Sequence, residues 1–466
     1  MSTQVEYHED PKFNESMAST HSEKSFVSEM YKHQPLDTSK HQIRLLRIDT
    51  SSGKPMHYRL EIFDYESVPR YAALSYTWGN DASKNAIFID GKPFQILPNL
   101  FAFLEHYQSS AYIWIDQICI NQSNHQERNH QVSLMCKIYE GCKLMLVWLR
   151  DDATFTPSTN QAATDFMKGV DAYWNQDTCE IKAKDGRVSL RWPALSLLRN
   201  PYFDRLWIVQ ELLLAKSILI LVEGNVWIPW CPLREKHTSL WGEVRSLIPS
   251  TIWLLEAYPT RFLFAGHTSK SLSWNITLTA GRYFNKICKD PRDKVYGFMA
   301  LVAPSHKIAV DYQKSVQCVF LDAIMAMIRD FWFMKRDIPE YGRDLFRIKG
   351  DLDSSIDSSH GLAQAMISTD LEKYGLKSFV EGVWERVRQY ESTARYLEPG
   401  AVDEIDCITS VGFEPGNHQS SGDVPRTTSC ARWWYEFEGT RYYHDCKEWS
   451  GDWTLQEYTE SAEDGS

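Results

Sequence analysis

One stretch, from Ala111 to Leu149, constrains the fold more than any other part of the chain. It contains two short runs of successive apolar residues, 111–115 and 144–149, with a polar loop and a helical segment between them. Strands that are apolar at every position, rather than at alternate ones, are typical of a sheet covered on both faces. The stretch therefore predicts a strand–helix–strand unit in a parallel sheet.

The helix of this unit has recognisable start signals and an apolar face. Either Ser123, with Gln126 three residues on, or Asn124, with Glu127, can form a capping box. Four apolar side chains at helical spacing predict the buried face, while His130, Gln131 and Lys137 lie on other faces. The four are Val132, Met135, Cys136 and Tyr139.

Strand and helix patterns continue on both sides of this unit. Strands are predicted over 43–48, 58–63, the first half of 71–79 and 218–222, with a hairpin over 87–97. Helices are predicted after Pro98, near 162–170 and from about Asn200 or Asp204 to Lys216. This alternation predicts an α/β fold, with an open, mainly parallel sheet and helices on both faces.

The chain of 466 residues divides into four segments by its patterning. Residues 1–40 read as a flexible lead-in, 41–230 as the α/β domain, and 231–350 as a mostly helical region, with helices near 240–258, 272–284, 294–301 and 316–333. Asp290-Pro291-Arg292-Asp293 has the form of a helix start, with Pro at the first helical position. Residues 351–466 show little periodicity, so an irregular region with an acidic, mobile tail is expected.

The charge balance and the cysteine pattern exclude several classes of protein. With 50 basic and 61 acidic residues, the net charge is -11, which argues against unspecific binding to nucleic acid or to an anionic membrane. No apolar run reaches the roughly 18 residues of a membrane span, and no secretory signal is visible. The ten cysteines form neither CxxC pairs nor zinc-ligand spacings, so we expect reduced thiols, a cytoplasmic location and no metal.

The candidate ligand-binding residues lie where parallel strands end. In open α/β sheets, ligands bind beyond the carboxyl ends of the strands. This rule places Tyr76, Trp78 and Asp116, with the loop 117–122, near any site. Trp78 and Trp114 could stack on a ring, although aromatic residues beside buried strands are core more often than not. Asp116 would look the same if it only ended its strand.

Glu211 is the most informative carboxylate of the chain. Its neighbours one helical turn away are all apolar, so its own helix supplies no ion-pair partner; they are Trp207, Ile208, Leu214 and Ala215. Burying an unpaired carboxylate costs several kcal/mol. Glu211 must therefore face a cleft, pair with a distant group such as Arg199 or Arg205, or keep its proton through a raised pKa. These alternatives stay open at the level of sequence.

Other candidate chemistry is weaker. Cys119 with His125 or His130 could form a thiol nucleophile, but no family-type local pattern supports it. The chain contains neither a GxGxxG after a strand nor a GxxxxGK[ST] motif, so standard dinucleotide and phosphate-loop sites are not supported. A polar cluster could hold a loop, contact a substrate or form a solvated helix face; it comprises Asn121, Gln122, Glu127, Arg128 and Gln131.

Four blocks of sequence together resemble the fungal heterokaryon-incompatibility (HET) domain family. They are YAALSYTWG, WIDQICINQ with the following ER, QV, M, IY and VWL, then FDRLWIVQELLLA, and finally CKDPRDKVYG. Their order matches over roughly residues 41–222, with the last block trailing. Gln117 and Arg150 depart from the residues usual after WID and WL, and the family's C-terminal tryptophan-and-proline signature is not recognisable.

The resemblance implies both a function and a site. HET proteins take part in fungal non-self recognition and a cell-death response, so protein partners are expected. TIR-like domains often act through self-association, so we also expect self-association on activation. The family is also similar to TIR domains, whose sheet is flavodoxin-like, and some TIR domains cleave NAD with a glutamate four residues after a tryptophan. Trp207 and Glu211 have that spacing. By this analogy Glu211 is a catalytic residue, NAD is its substrate and no cofactor is needed. The analogy also gives four ligand-binding residues, which are Tyr76, Trp78, Asp116 and Trp207. A non-catalytic interaction module is the other alternative.

Overall fold

The computed structural model describes the larger part of the chain, in fourteen segments. They are residues 29–49, 56–79, 83–150, 157–175, 180–181, 191–230, 233, 276–302, 307–337, 352–367, 369–394, 408–414, 432–437 and 440–445. The helix expected near 240–258, the acidic tail and residues 1–28 of the expected lead-in lie outside these described residues.

Within the described residues, eleven strands occur before residue 230, and nine of them form one sheet. The eleven are β1 Gln42–Ile48, β2 His57–Asp64, β3 Tyr71–Tyr76, β4 Asn85–Ile89, β5 Lys92–Ile96, β6 Tyr112–Trp114, β7 Leu144–Leu149, β8 Trp174–Asn175, β9 Glu180–Ile181, β10 Ile218–Val222 and β11 Val226–Pro229. The sheet has the order β11-β10-β7-β3-β6-β1-β2-β4-β5, while β8 and β9 pair with each other.

The centre of the sheet is parallel and its outer strands are mostly antiparallel. β6, β3, β7 and β10 are joined by parallel pairings, and their spatial order is 2-1-3-4 in chain order, as in flavodoxin-like sheets. β1, β2, β5 and β11 add antiparallel pairings outside this centre. All six residues of β3 are buried, as expected for a central strand covered on both faces. The predicted α/β class is confirmed.

Six helices accompany the sheet, and five more follow it among the described residues. The first six are α1 Pro98–His106, α2 Asp116–Cys119, α3 His125–Gly141, α4 Thr159–Tyr173, α5 Arg191–Leu198 and α6 Ile208–Leu214. The longer helices of the second half are Ile276–Tyr283, Val316–Asp337, Leu352–Met366 and Leu376–Ala394, and a short helix covers Asp293–Tyr296.

The buried face of α3 is rotated from the predicted one. Asn124, not Ser123, caps the helix by accepting a hydrogen bond from the backbone N–H of Glu127 at 3.1 Å. Gln131, which was assigned to an outer face, is fully buried, because its Nε2 donates to the backbone oxygen of Gln42 at 2.8 Å. Val132 and Cys136 are only half-buried. The inward side is instead formed by Glu127, Gln131, Leu134, Met135, Ile138 and Tyr139.

The helix predicted from about residue 200 to Lys216 is interrupted. A 3-10 turn covers Pro201–Asp204, capped by Asn200, and α6 begins only at Ile208. Between them the chain is extended and pairs with a distant segment. Ile287 donates its N–H to the oxygen of Asp204 at 2.7 Å and accepts from the N–H of Leu206 at 2.9 Å. These long-range hydrogen bonds replace the helical ones, so the helix breaks here.

Two expectations about the ends of the chain are corrected. Residues 29–37, expected as part of a loose lead-in, contact the sheet: the N–H of Tyr31 donates to the oxygen of Pro93 at 2.9 Å. Residues 351–466 were expected to be irregular, yet they contain two helices and a three-stranded antiparallel sheet. Its strands are β12 Ile408–Glu414, β13 Arg432–Phe437 and β14 Thr440–Asp445. The segment boundaries themselves stay a prediction.

Candidate functional site

An open cleft of about 730 Å³ lies beyond the carboxyl ends of β3 and β6, where the sheet rule places ligands. Of the predicted ligand-binding residues, Trp78 lines it directly. Helix α2 contributes Gln117, and the loop after it contributes residues 120–123. Tyr76, Asp116, Trp207 and Glu211 are not among its lining residues. The structure therefore brings part of the predicted site together and separates the rest.

Asp116 holds the indole of Trp78 at the edge of this cleft. Its Oδ2 accepts a hydrogen bond from Trp78 Nε1 at 2.8 Å, and its Oδ1 accepts one from the N–H of Gln117 at 2.7 Å. Burial raises the pKa of Asp116, and these donors together with the charge of Arg205 oppose the rise. Tyr76 is buried beneath, with its pKa raised well above the usual value by burial and by Asp116. Asp116 is thus a positioning residue for Trp78.

Glu211 is sealed inside the domain, with only 3% of its surface exposed. Its Oε2 accepts a hydrogen bond from the hydroxyl of Ser75 on β3. The Tyr202 hydroxyl lies 2.6 Å from the same Ser75 oxygen, which leaves Tyr202 as donor once Ser75 donates to the carboxylate. Neither Ser75 nor Tyr202 was singled out from the sequence. The one available signal was a serine inside the apolar run of β3, which predicts a buried polar partner.

The electrostatic environment raises the pKa of Glu211. Burial raises the pKa of Glu211 to about 7, while the positive charge of Arg205 and the hydrogen bond from Ser75 oppose the rise. No salt bridge joins Glu211 to Arg205 within the described part of the chain. Arg205 instead leaves its Nη1 buried without a hydrogen-bond partner. Of the three alternatives open from sequence, the raised pKa agrees best with this geometry.

Trp207 lies in an interface between the α/β domain and the helical region. Its Nε1 donates to Asp293 Oδ2 at 3.1 Å, and the Tyr312 hydroxyl donates to Asp293 Oδ1 at 2.6 Å. The Arg128 guanidinium lies 3.9 Å from the centre of the Tyr312 ring. Burial raises the pKa of Asp293 to about 6, against the effect of these hydrogen bonds. The DPRDKVYG block therefore connects the two regions.

The polar cluster after β6 holds its own loop in place. Glu127 is buried, and its carboxylate accepts hydrogen bonds from both terminal nitrogens of Arg44, at 2.6 and 3.0 Å. It also accepts one from the backbone N–H of Asn121, at 2.7 Å. Gln122 Nε2 donates to the oxygen of Asp116 at 2.9 Å. Burial alone would raise the pKa of Glu127, but the Arg44 and Asn121 hydrogen bonds hold it below the usual value. The cluster thus fixes the rim of the cleft.

The environment of Cys119 does not suit a nucleophile. The side chain is fully buried, and burial raises the pKa of its thiol to about 12. Reactive cysteines need the opposite, a lowered pKa and access to solvent. Among the described residues, no group of three or more His, Cys, Asp or Glu side chains could hold a metal ion. In that same part of the chain, no helix combines the length and apolarity of a bilayer span.

Comparison with known proteins identifies one part of the chain. Residues 71–211 match the family model described as "Heterokaryon incompatibility protein (HET)". A relative from Neurospora crassa, "Heterokaryon incompatibility protein 6, OR allele", is 24% identical over 341 residues. That match covers 58% of this chain and 48% of the relative, so the chain spans about half the length of that protein. No solved structure matches the chain.

The matched region begins at the first residue of β3 and ends at Glu211. It thus contains the Ser75, Tyr202 and Glu211 cluster, most of the parallel centre and the loop that lines the cleft. The family resemblance that the sequence blocks indicate is confirmed over this range. The likeness to TIR domains and the catalytic role of Glu211 stay predictions.

Proposed function

We propose, from the premise that residues 71–211 form a HET domain, that this protein acts in fungal non-self recognition and triggers a regulated cell-death response. The family match is the observation that carries the proposal. The named relative supports it with a second match that extends beyond the HET domain itself. The protein works inside the cell, through other proteins.

The structure favours a signalling role for the domain over hydrolysis of NAD. A glycosidase needs its carboxylate in contact with the scissile bond, whereas Glu211 is 3% exposed and does not line the cleft. Its hydrogen bond to Ser75 ties α6 to the central strand, which is a structural task. The proposed effector therefore acts by presenting a surface to partners.

The test uses two fungal strains that are identical except that one expresses the full chain. Each is fused with a panel of natural isolates, and dying fusion cells are counted by uptake of a vital dye. We expect death in at least one pairing only when the chain is expressed. Expression of intact chain with no excess death in any pairing would contradict the proposal.

Glu211→Gln separates signalling from catalysis in the same assay. The glutamine side chain keeps an oxygen that can accept the hydrogen bond from Ser75. Because its amide is uncharged, it cannot act as a nucleophile or stabilise a positive charge as a carboxylate does. We expect this variant to kill as the wild type does. Loss of killing by a variant with a normal thermal melt would favour the NAD glycohydrolase alternative, which NAD consumption by the purified wild type would then test.

Self-association on activation is part of this proposal. TIR-like domains commonly signal by assembly, and the HET domain is expected to do likewise. Light scattering on the purified chain, taken from cells undergoing the death response, should show a species larger than the monomer. A monomer under those conditions would contradict this part and leave the role in recognition standing.

A further inference from the structure

Residues 29–41, the N-terminal strap, run along the α/β domain before the region that matches the family model. We propose that protonation of the histidines that hold this strap releases it, so that acidification opens one wall of the cleft. The strap forms that wall through Tyr31, Lys32 and His33. This is a conformational property of the chain, so it goes beyond the proposed function and does not depend on it.

The strap is attached to the domain at separate points, and none of its residues is buried. The backbone N–H of Tyr31 donates to the oxygen of Pro93 in the edge strand β5 at 2.9 Å. Arg44 Nη2 donates to the backbone oxygen of Gln34. Because the strap adds no buried side chain to the core, it can leave the domain without unfolding it.

The first histidine contact is made by His33. Its Nε2 lies 2.7 Å from the backbone oxygen of Ile118 in α2, so this nitrogen carries the hydrogen and donates. The ring packs edge to face against Tyr31 and Phe94, with ring centres 5.5 and 5.6 Å away. The seated ring is therefore neutral, and its Nδ1 is the atom that a proton from solvent would reach.

The surroundings of His33 oppose that proton. Burial lowers the pKa of His33 and the charge of Arg44 on β1 adds to this, while the Ile118 hydrogen bond and Glu127 on α3 oppose the decrease. Glu127 is already paired with both terminal nitrogens of Arg44. A charged His33 would thus be a second cation in a half-buried site whose carboxylate is engaged.

The second contact is a pair of histidine rings at the other end of the strap. His41 Nδ1 and His130 Nε2 lie 3.5 Å apart, with ring centres 5.7 Å apart and ring planes at 20°. The Gln131 amide nitrogen, a donor, lies 3.4 Å from His130 Nδ1, so the hydrogen of His130 is on Nε2. The neutral pair then has one hydrogen between its facing nitrogens. A second proton, on His41 Nδ1, would set two N–H groups against each other.

The environment of this pair also favours the neutral state. Burial lowers the pKa of His130 and the neighbouring His41 adds to this, while the Thr38 oxygen and Glu127 oppose the decrease. A free histidine has a pKa of about 6.5, so the released strap binds protons that the seated strap excludes. The free energy that holds the strap is therefore fully present above about pH 6.5 and decreases as the pH falls below it.

Acid release of the strap differs from acid unfolding of the domain. The pKa values of Glu211 and Asp293 are raised to about 7 and about 6 by burial, so protonation of these carboxyl groups favours the folded domain. The histidines of the strap respond to acid in the opposite direction. The structure therefore predicts a loss of order that is confined to the strap.

The test is hydrogen–deuterium exchange of the purified full chain, measured by mass spectrometry and corrected for the intrinsic effect of pH on exchange. Peptides that cover 29–41 report on the strap, and peptides that cover β3 report on the domain. We expect the strap amides to exchange at least about tenfold faster at about pH 5.5 than at about pH 7.5, because each unit of pKa difference changes the release equilibrium tenfold. The amides of β3 should stay protected at both pH values.

Glutamine variants remove the titration and keep a donor. His33→Gln keeps an N–H for the Ile118 oxygen, and His130→Gln keeps one for His41 Nδ1. In the double variant, exchange of the strap should differ by less than about twofold between the two pH values. The matched control is His125→Gln, which removes an exposed histidine at the start of α3 and should behave as the wild type does. Each single variant should show an intermediate pH dependence, which decides the matter if the double variant does not seat its strap.

Three results would overturn the proposal. They are a wild-type strap that is unprotected already at about pH 7.5, equal pH dependence in wild type and both single variants, and equal loss of protection in the strap and β3 on acidification. Because exchange uses the purified chain and the fusion assay uses living cells, failure of one does not imply failure of the other.

Discussion

Two buried glutamates in the region that matches the HET family model have pKa values shifted in opposite directions. Glu127 and Glu211 are 5% and 3% exposed, but the pKa of Glu127 is lowered while that of Glu211 is raised to about 7. The difference lies in their partners. Glu127 has a bidentate arginine and a backbone N–H, whereas Glu211 has one serine hydroxyl and only a distant cation. Burial alone therefore does not fix the charge of a carboxylate; its donors do.

Removal of the arginine should have the largest effect and tests the Glu127 side of the comparison. Arg44→Met leaves Glu127 buried without its cation, which should lower the free energy of unfolding by about 3–5 kcal/mol. Urea unfolding measures the change. Arg47→Met is the matched control, because the Arg47–Glu61 pair is half-exposed and should be worth less than about 1 kcal/mol. Equal decreases in the free energy of unfolding of the two variants would show that the buried pair contributes no more than the half-exposed one.

The pH dependence of stability tests the Glu211 side. Between its unfolded pKa of 4.5 and its folded pKa of about 7, the folded protein holds a proton that the unfolded chain releases. This stabilisation is complete below pH 4.5 and is lost as the pH rises through 7, a total of about 3 kcal/mol. Asp293 changes stability in the same direction, so the wild type must be compared with Glu211→Gln.

The glutamine variant should lose about 3 kcal/mol less than the wild type between pH 4.5 and pH 8. Urea unfolding at several pH values gives both curves. Parallel curves would mean that folding does not raise the pKa of Glu211, and the contrast with Glu127 would then be smaller than the structure indicates.

Asp293 offers an intermediate case, since it is buried and held by neutral donors only within hydrogen-bond distance. Trp207→Phe removes one donor and should cost about 1–3 kcal/mol, since a buried acceptor loses its partner. The pKa of Asp293 should rise further, so the loss should be greater at pH 8 than at pH 5. The exposed Trp192→Phe serves as the control and should change stability little.

The smallest effect is expected at the helix start beside Glu127. Asn124→Ala removes the cap of α3 and should cost about 1 kcal/mol. Ser123→Ala, the alternative cap in sequence, should cost less, since its hydroxyl only donates to Asn121. Thermal melts of the two variants decide which residue starts the helix in solution. A larger loss for Ser123→Ala would reverse the assignment.

Most of the sheet could be predicted because its strands are apolar at nearly every position. β7 and β10 have the ends that the sequence predicts, since extensive burial imposes a composition that loops rarely share. The break before α6 could not be predicted, because it depends on Ile287, about eighty residues further along the chain. Long-range hydrogen bonds leave no local pattern.

The second half was underestimated for a different reason. Helix Leu352–Met366 packs partly through small polar residues, and Ser359 bonds both Ser355 and Trp384. Serines do not contribute to an apolar periodic pattern, so a helix face that packs through them is not predicted from the sequence. Their short side chains nevertheless allow close packing. In β13, by contrast, Trp433, Tyr435 and Phe437 alternate inward, a pattern that is visible in the sequence and was missed.

The position of the candidate site could be predicted from the sequence, but the residues that line it could not. The sheet rule located the cleft and Trp78, because it follows from topology alone. It could not exclude Glu211, since the depth of a side chain beneath a strand end depends on the packing of α3 against α6. Four lining residues were missed because they come from loops and from residues 29–37, which carry no periodic signal. They are Tyr31, Lys32, Lys84 and Lys289.

The bridge between Asp204, Leu206 and Ile287 has a consequence for dissecting this protein. The matched family region ends at residue 211, yet the backbone before α6 is completed by a strand-like contact from residue 287. A fragment that stops near residue 230 would expose the Leu206 N–H and the Asp204 oxygen and would remove the Asp293 partner of Trp207. Loss of activity in such a fragment would therefore report an incomplete fold, so a fragment that keeps these contacts has to extend past residue 312.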